Sequence, residues 1–519
     1  MPVRVSVVVP VYNPGAPLDE LLASLTAQTM PAADFEVLLC DDGSDDATQA
    51  QLTRIAAEHP NVRVARLPHS GWPGTPRNHG IDTAAGTYLH FVDQDDRLFP
   101  EALQSLCDYA DRHHSDVVVG REVGIGRELR KRIFARDIPQ ATLGTDPLLE
   151  MLTPHKMFRT AFLRDNGIRF PSGRVRLEDH LFVMQAYFAA ETISVLASVP
   201  CYGWVKRAGS ASSARIDPET YFPHLENVLD LVEAHTEPGA LRDRLLRHWL
   251  RGKILKRLSA RQMAGYPDDY RERLLDVVEP LVARRFGPGV DAGLAFPHRV
   301  RVALLRAGRR DDLLTLARAE VATTCRSEIT RATWTRGGGL QLTVRARIVH
   351  DGDDALVFDP APGAPERQVW RAPAALADLG PAVLDATRDL RADRLALSVR
   401  EEGAIDALRL AARPVRDLAP VRVAVDPLRV FGAQSTATDA RFSMRVRRAG
   451  WAFDVPLVAD AKVLDAAGRS PFLAGRSCRL VLDATGAVML RRDWPGGRLR
   501  DAAGRAARRL RRVVASRRG

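Results

Sequence analysis

Cysteine is scarce. The 519 residues hold five, Cys40, Cys107, Cys201, Cys325 and Cys478. An odd, scattered set with no Cys-x-x-Cys pair excludes a zinc ribbon and a disulfide framework and fits reduced thiols. Long apolar runs are missing as well: no window approaches the roughly 20 apolar residues that span a bilayer. The N-terminus has no charged n-region, apolar h-region and small-residue cleavage site. A strand pattern, Val3–Val11, starts almost at once, so a cytoplasmic chain is expected. No internal repeat stands out. Nor is there a helix-turn-helix, zinc-finger or RNP-type aromatic signature, so nucleic acid is not an expected partner.

What is present is ordinary in bulk. A hydrophobic share of 45% and a charged share of 27% suit a globular protein. The length exceeds what one hydrophobic core holds, which implies two or three domains. The net charge of +11 is unevenly placed, with arginine crowding the helical middle and the C-terminus. Anionic lipid, another polyanion or an anionic diphosphate donor all match that balance, and so does a GC-rich genome.

The informative stretch is Thr87–Asp96, TYLHFVDQDD. Tyr88, Leu89, Phe91 and Val92 read as a buried strand, and the chain must leave the sheet at Asp93, Asp95 and Asp96. Carboxylates spaced i, i+2 suit Mg²⁺ or Mn²⁺ and, through the metal, a diphosphate. They equally suit a solvated turn that caps the next helix. Upstream, Val3–Val11 reads as a central parallel strand. Glu36–Cys40 is a second strand running into Asp41-Asp42-Gly43-Ser44, with Ser44 expected to cap a helix over residues 45–58. Val62–Leu67, a Gly/Pro-rich loop at 69–76, a short helix Arg77–Ala84, a helix Pro100–His113 and a strand Asp116–Val119 follow. Strand and helix alternate with short connections, which argues for a doubly wound α/β sheet. Both acidic turns then share its carboxyl edge, where such folds bind ligands.

Past Gly120 the regularity loosens. Gly124–Arg136 reads as a basic loop or hairpin, Glu178-Asp179-His180 as the start of a helix, and Ile193–Ala197 and Tyr202–Val205 as two strands. Pro218 to Ala322 is helical. From Cys325 short alternating strands separated by turn signals suggest a β-sandwich. Arg498–Gly519 carries nine arginines against one aspartate, a basic helix or tail.

Four segments in order, VSVVVPVYN (Val5–Asn13), VLLCDDGSDDAT (Val37–Thr48), PRNHGIDTAAGTYLHFVDQDD (Pro76–Asp96) and EDHLF (Glu178–Phe182), resemble a family 2 glycosyltransferase. Domain order, the Gly/Pro loop and the EDH segment are similar to the wall teichoic acid glycosyltransferases that decorate poly(polyol phosphate). The resemblance implies a GT-A nucleotide-sugar-binding domain with a Rossmann-like mixed sheet at 1–215. A helical linker at 216–322, an all-β sandwich region at 323–495 and a basic tail at 496–519 complete the chain.

The same resemblance implies roles. The Pro10–Tyr12 backbone and Asp41 would hold the uracil of a UDP-sugar, since a carboxylate accepts the imide N–H. Arg77 would lie near the uracil or the diphosphate. Asp93 would approach the ribose and Asp95 the metal, Mn²⁺ or Mg²⁺, which assists departure of the diphosphate. Asp96 would support the turn. Asp179 would be the general base that takes a proton from the acceptor hydroxyl in an inverting displacement. Glu178 would orient the site, and His180 would reach the diphosphate or metal. Lys156, Arg207 and Ser212 would line the acceptor side or the diphosphate. The implied acceptor is an anionic cell-envelope polymer, with another glycan or a lipid-linked acceptor as the alternative. A catalytically silent, glycan-binding scaffold of the same fold is the reading from a different class. The basic tail is a candidate for docking on an anionic membrane surface, and the β region for homo-oligomer contacts.

Overall fold

The computed structural model describes residues 3–127, 129, 132–207, 215–403, 407–415, 418–432, 437–471 and 476–493. Ser212 and the tail Arg498–Gly519 lie outside the described residues. The chain forms two compact units, Met1–Ile254 with Asp268–Gly293 and Leu255–Pro267 with Leu294–Gly519. The helical stretch after Pro218 is thus shared between both units.

The first unit is built on a mixed eight-stranded sheet. Its strands are β1 (Val5–Val11), β2 (Phe35–Asp41), β3 (Val62–Arg66), β4 (Tyr88–Phe91), β5 (Arg97–Leu98), β6 (Val117–Ile125), β7 (Met157–Arg159) and β8 (Ile193–Val205). They lie in the order β3-β2-β1-β4-β7-β6-β8-β5. The run from β3 to β4 is parallel, β7 sits antiparallel between β4 and β6, and β6 and β8 run parallel. Every residue of β2 and β4 is buried, as a sheet covered on both faces requires.

Helices α1 (Pro17–Thr26), α2 (Asp46–Glu58), α3 (Gly74–Thr83), α4 (Ala102–His113), α5 (Thr160–Asp165) and α6 (Glu178–Ala189) complete this unit's first part. Leu103, Leu106, Cys107 and Ala110 recur at helical spacing and bury one face of α4. That helix ends at His114 in the left-handed conformation, φ 51°. The cap of α2 is Asp45, which accepts from the Thr48 N–H at 2.8 Å, a contact worth about 1 kcal/mol. Ser44, the expected cap, instead accepts from the Asn13 N–H at 3.0 Å. At Gly80 of α3 a Cβ would lie 2.2 Å from a Val8 methyl, so only glycine lets this helix close on β1.

β8 is one strand of 13 residues where two were expected. Register shifts on its partner β6, at Gly120/Arg121 and Arg121/Glu122, absorb the irregular segment around Pro200 and keep the strand continuous. Likewise β6 runs through Ile125, so the segment read as a basic loop or hairpin from Gly124 begins inside the sheet.

In the second unit two antiparallel groups of strands share one core. Leu340–His350 pairs with Thr324–Trp334 on one side and Val421–Val425 on the other. Asp439–Arg448 pairs with Arg394–Glu401, Trp451–Ala459 and Val488–Asp493. A short parallel pairing of Leu457–Ala459 with Ser327–Ile329 joins the groups. Leu342 and Val344 from one group and Phe442 and Met444 from the other lie in the same hydrophobic cluster, which the alternating burial of these strands supplies. Among the described residues, no helix is long and apolar enough to cross a membrane.

Candidate functional site

Strands β1, β2 and β4 release their chains at one edge, and a cleft of about 590 Å³ opens there. Pro10, Tyr12, Asp42, His69, Trp72, Arg77, Asp93, Gln94 and Asp95 line it. Tyr12 is 46% exposed and stacks on His69, with ring centroids 4.6 Å apart. Its backbone N–H donates to Gln94 Oε1 at 2.8 Å and its carbonyl accepts from Gln94 Nε2 at 3.1 Å. The primary amide of Gln94 thus covers both main-chain groups of Tyr12, a pairing of the kind a nucleobase edge makes.

Of the two carboxylates after β2, Asp41 is fully buried and does not line the cleft. It accepts from the Ser44 N–H at 3.2 Å and from the Gln49 amide. Asp42 does line the cleft, and it holds the Gly/Pro loop by accepting from the N–H groups of Ser70 and Gly71, each at 2.9 Å.

The acidic turn after β4 separates its three aspartates by environment. Asp93 Oδ1 accepts from Arg77 at 2.9 Å and Oδ2 faces His155 Nε2 at 3.1 Å. Burial opposes ionisation, but His155 and Arg77 together hold Asp93 well below the usual carboxylate range. Asp96 is buried, accepting from the Tyr202 hydroxyl at 2.6 Å and the Val205 N–H at 2.8 Å. Burial and Asp93 push its carboxyl up to about 6. Asp95 lies at the cleft surface, and no side chain among the described residues donates to its carboxylate. Arg207 instead clamps the Asp95 carbonyl, at 3.1 and 3.2 Å, while pairing with Glu20 at 2.8 Å. Burial and Asp93 raise the Asp95 carboxyl.

Arg77 is the hub. Only 4% exposed, its guanidinium reaches Asp93 at 2.9 Å and Asp179 at 3.0 Å, with Glu178 at 3.8 Å and the Phe170 ring 5.1 Å from its Cζ. It is therefore bound between carboxylates in this structure. Asp179 and Glu178 open α6 behind Leu177, whose left-handed φ of 62° turns the chain into the helix. Burial raises the Asp179 carboxyl against the pull of Arg77. Burial and Asp179 push Glu178 up to about 7.

Two residues expected at the ligand point elsewhere. His180 Nδ1 accepts from the Trp249 indole at 3.1 Å, and burial drives its pKa well below the ordinary value. The indole occupies Nδ1, and a neutral imidazole brings no charge to a diphosphate. Lys156 is fully buried rather than on a ligand-facing surface. Its ammonium donates to the Thr153 carbonyl, and burial lowers it to about 8.

His155 was not singled out from the sequence. It lies stacked on Tyr202 at 4.0 Å between Asp93 and Glu122, whose Oε1 is 3.6 Å from Nδ1. Against its burial, these two acids raise it to about 10. Ligand atoms of Asp93, Asp96 and His155 converge within 4.8 Å. In this structure His155 Nε2 faces Asp93 Oδ2, while the Asp96 carboxylate accepts from Tyr202 and the Val205 N–H. Asp95, with Asp93 two residues before it, offers the hard oxygen donors that fit Mg²⁺ or Mn²⁺ at the cleft.

Residues 6–177 match the family described as glycosyl transferase family 2, and residues 218–317 match the glycosyl transferase TarS linker domain. The chain is 38% identical over 243 residues to the poly(ribitol-phosphate) beta-N-acetylglucosaminyltransferase TarS of Staphylococcus aureus strain Mu50. That match covers 45% of this chain and 42% of the relative. It is 37% identical over 234 residues to a poly(ribitol-phosphate) beta-glucosyltransferase of Bacillus spizizenii, covering 44% of this chain and 37% of the relative. The chain thus spans less than half the length of these curated relatives. The crystal structure of S. aureus TarS 1-349 in complex with UDP-GlcNAc superposes with a TM-score of 0.55 at 28% identity, over 68% of this chain and 98% of that one. The longer TarS crystal structure gives a TM-score of 0.57 at 20% identity over 95% and 85% of the two chains, a likeness of fold.

Proposed function

With a family 2 glycosyltransferase domain at residues 6–177 and a TarS linker domain at 218–317, we propose that this chain moves a sugar from a UDP-sugar to a hydroxyl of a polyol-phosphate polymer. The transfer inverts the anomeric centre and needs Mn²⁺ or Mg²⁺. One observation carries the reading. A single buried guanidinium, Arg77, binds both Asp93 at the cleft and Asp179 at the head of α6.

The division of labour follows from chemistry. Tyr12 presents an exposed ring and, once Gln94 moves aside, a main-chain N–H and carbonyl to the base. Asp41 meets the uracil imide only if Gln49 releases it. A divalent cation held by Asp95 and Asp93 would offset the charge that develops on the leaving diphosphate. Asp179 takes the acceptor proton as the new bond forms, and its raised pKa makes it a better base than an exposed aspartate. Glu178 and Arg77 fix its position. Arg207 holds the acidic turn by its backbone and not by its charge.

The names of the poly(ribitol-phosphate) relatives support the acceptor class. The nine arginines of Arg498–Gly519 support a peripheral place at an anionic membrane face. The β-rich unit remains the proposed seat of self-association. The test is a screen of UDP-sugars for UDP release with Mn²⁺, with and without poly(ribitol phosphate). Release stimulated by the polymer is expected. No release above background with any donor and acceptor overturns the reading.

A further inference from the structure

The segment that leads into α6 carries two arginines with no acidic partner. Arg174 and Arg176 stand four and two residues before Glu178, and among the described residues neither makes an ion pair or a hydrogen bond. Nearby arginines are all committed: Arg77 to Asp93 and Asp179, Arg169 to Asp82, Arg207 to Glu20. Both unpaired guanidinium groups lie over one ring, with their Cζ atoms 5.9 and 5.4 Å from the centre of Trp72. Left-handed residues bound the segment, Gly173 at φ 77° and Leu177 at φ 62°. The indole of Trp72 lines the cleft, and its buried N–H completes no hydrogen bond.

We propose that Arg174 and Arg176, seated on Trp72, bind a phosphodiester of the acceptor chain and so bring its hydroxyl to Asp179. This inference rests on the sugar-transfer reading above. Its ground is charge. Asp93, Asp95 and Asp179 crowd the region, and the buried Arg77 is already paired with two of them. An anionic acceptor entering that field is repelled unless unpaired cations meet it. Guanidinium forks bind phosphate oxygens in pairs, and stacking on an indole holds them ready for it. The donor's diphosphate is placed at Asp95. Arg174 and Arg176 precede the base by five and three residues and belong to the acceptor side.

The test compares the full chain with its Arg174→Gln/Arg176→Gln variant in calorimetric titrations against three probes: a synthetic ribitol-phosphate oligomer, free ribitol and UDP with Mn²⁺. The expected result is at least a tenfold weaker hold on the oligomer, an unchanged UDP affinity, and no measurable difference toward ribitol. Unchanged oligomer affinity overturns the proposal, as does an equal loss of UDP affinity, which would move the arginines to the donor's phosphates. Absent UDP-sugar turnover in the unsubstituted chain is a failure of the transfer reading instead, and the oligomer titration still decides whether the arginines bind phosphodiester.

Discussion

Asp93 and Asp179 are held by the same guanidinium: Arg77 Nη2 lies 2.9 Å from Asp93 and Nη1 3.0 Å from Asp179. The carboxylate nearest the proposed leaving group and the proposed base, which stand far apart in sequence, thereby become one electrostatic unit. A compact ammonium cannot fork between two carboxylates as guanidinium does. In Arg77→Lys we expect transfer to fall at least 100-fold and the free energy of unfolding in urea to drop by about 3 kcal/mol, as when one carboxylate is left unpaired. Steady-state kinetics and urea unfolding read both. Wild-type turnover in this variant would remove the bridge from the mechanism.

Asp179→Asn keeps the shape of the side chain and removes the base. Transfer should fall by two to four orders of magnitude, while UDP affinity measured by calorimetry changes less than about twofold. A parallel loss of UDP binding would assign Asp179 to the donor.

Asp95 has the carboxylate left open at the cleft. UDP should therefore bind more tightly with Mn²⁺ than with EDTA, and Asp95→Ala should abolish the difference without lowering the melting temperature. A metal effect that survives in Asp95→Ala would shift the ion to other ligands.

Glu178 keeps its proton up to about 7, against 4.5 for an ordinary glutamate. Between those values the folded chain binds the extra proton, so its stability falls as pH rises through the window. Glu178→Gln carries no such proton. Its stability relative to the unsubstituted chain should rise across the interval, by an amount on the order of 2–3 kcal/mol at about 1.4 kcal/mol per unit. Parallel urea titrations from about pH 4.5 to 7.5 measure it, and a constant difference would mean that the proton resides elsewhere.

How much of this was legible depended on how local the signal was. β1, β2 and β4 announce themselves because seven, seven and four consecutive residues are apolar or nearly so, and the acidic turns follow them directly. β7 has three residues, too few to show an alternation, yet the chain just before it brings His155 to Asp93 across a sequence separation of 62. A histidine's partners lie in the fold, and neither Glu122 nor Tyr202 is near it in the chain. Lys156 shows the same limit from the other side. A lysine reads as a surface cation, and only the packing around Tyr187 and Thr153 reveals it as buried. Arg174 and Arg176 meet Trp72 only in the fold, because the ring lies about 100 residues before them in the chain.

The acidic turn is anchored almost wholly by atoms that a ligand would not touch. The Asp93 N–H rests on the Tyr202 hydroxyl, Asp96 is bonded to β8, and Arg207 grips the Asp95 carbonyl. What stays loose is one carboxylate. On the proposed metal-dependent reading, loading a cation there would ask a single side chain to settle, a small entropic cost beside that of ordering a loop. The sheet behind it would then stay unchanged between one proposed turnover and the next.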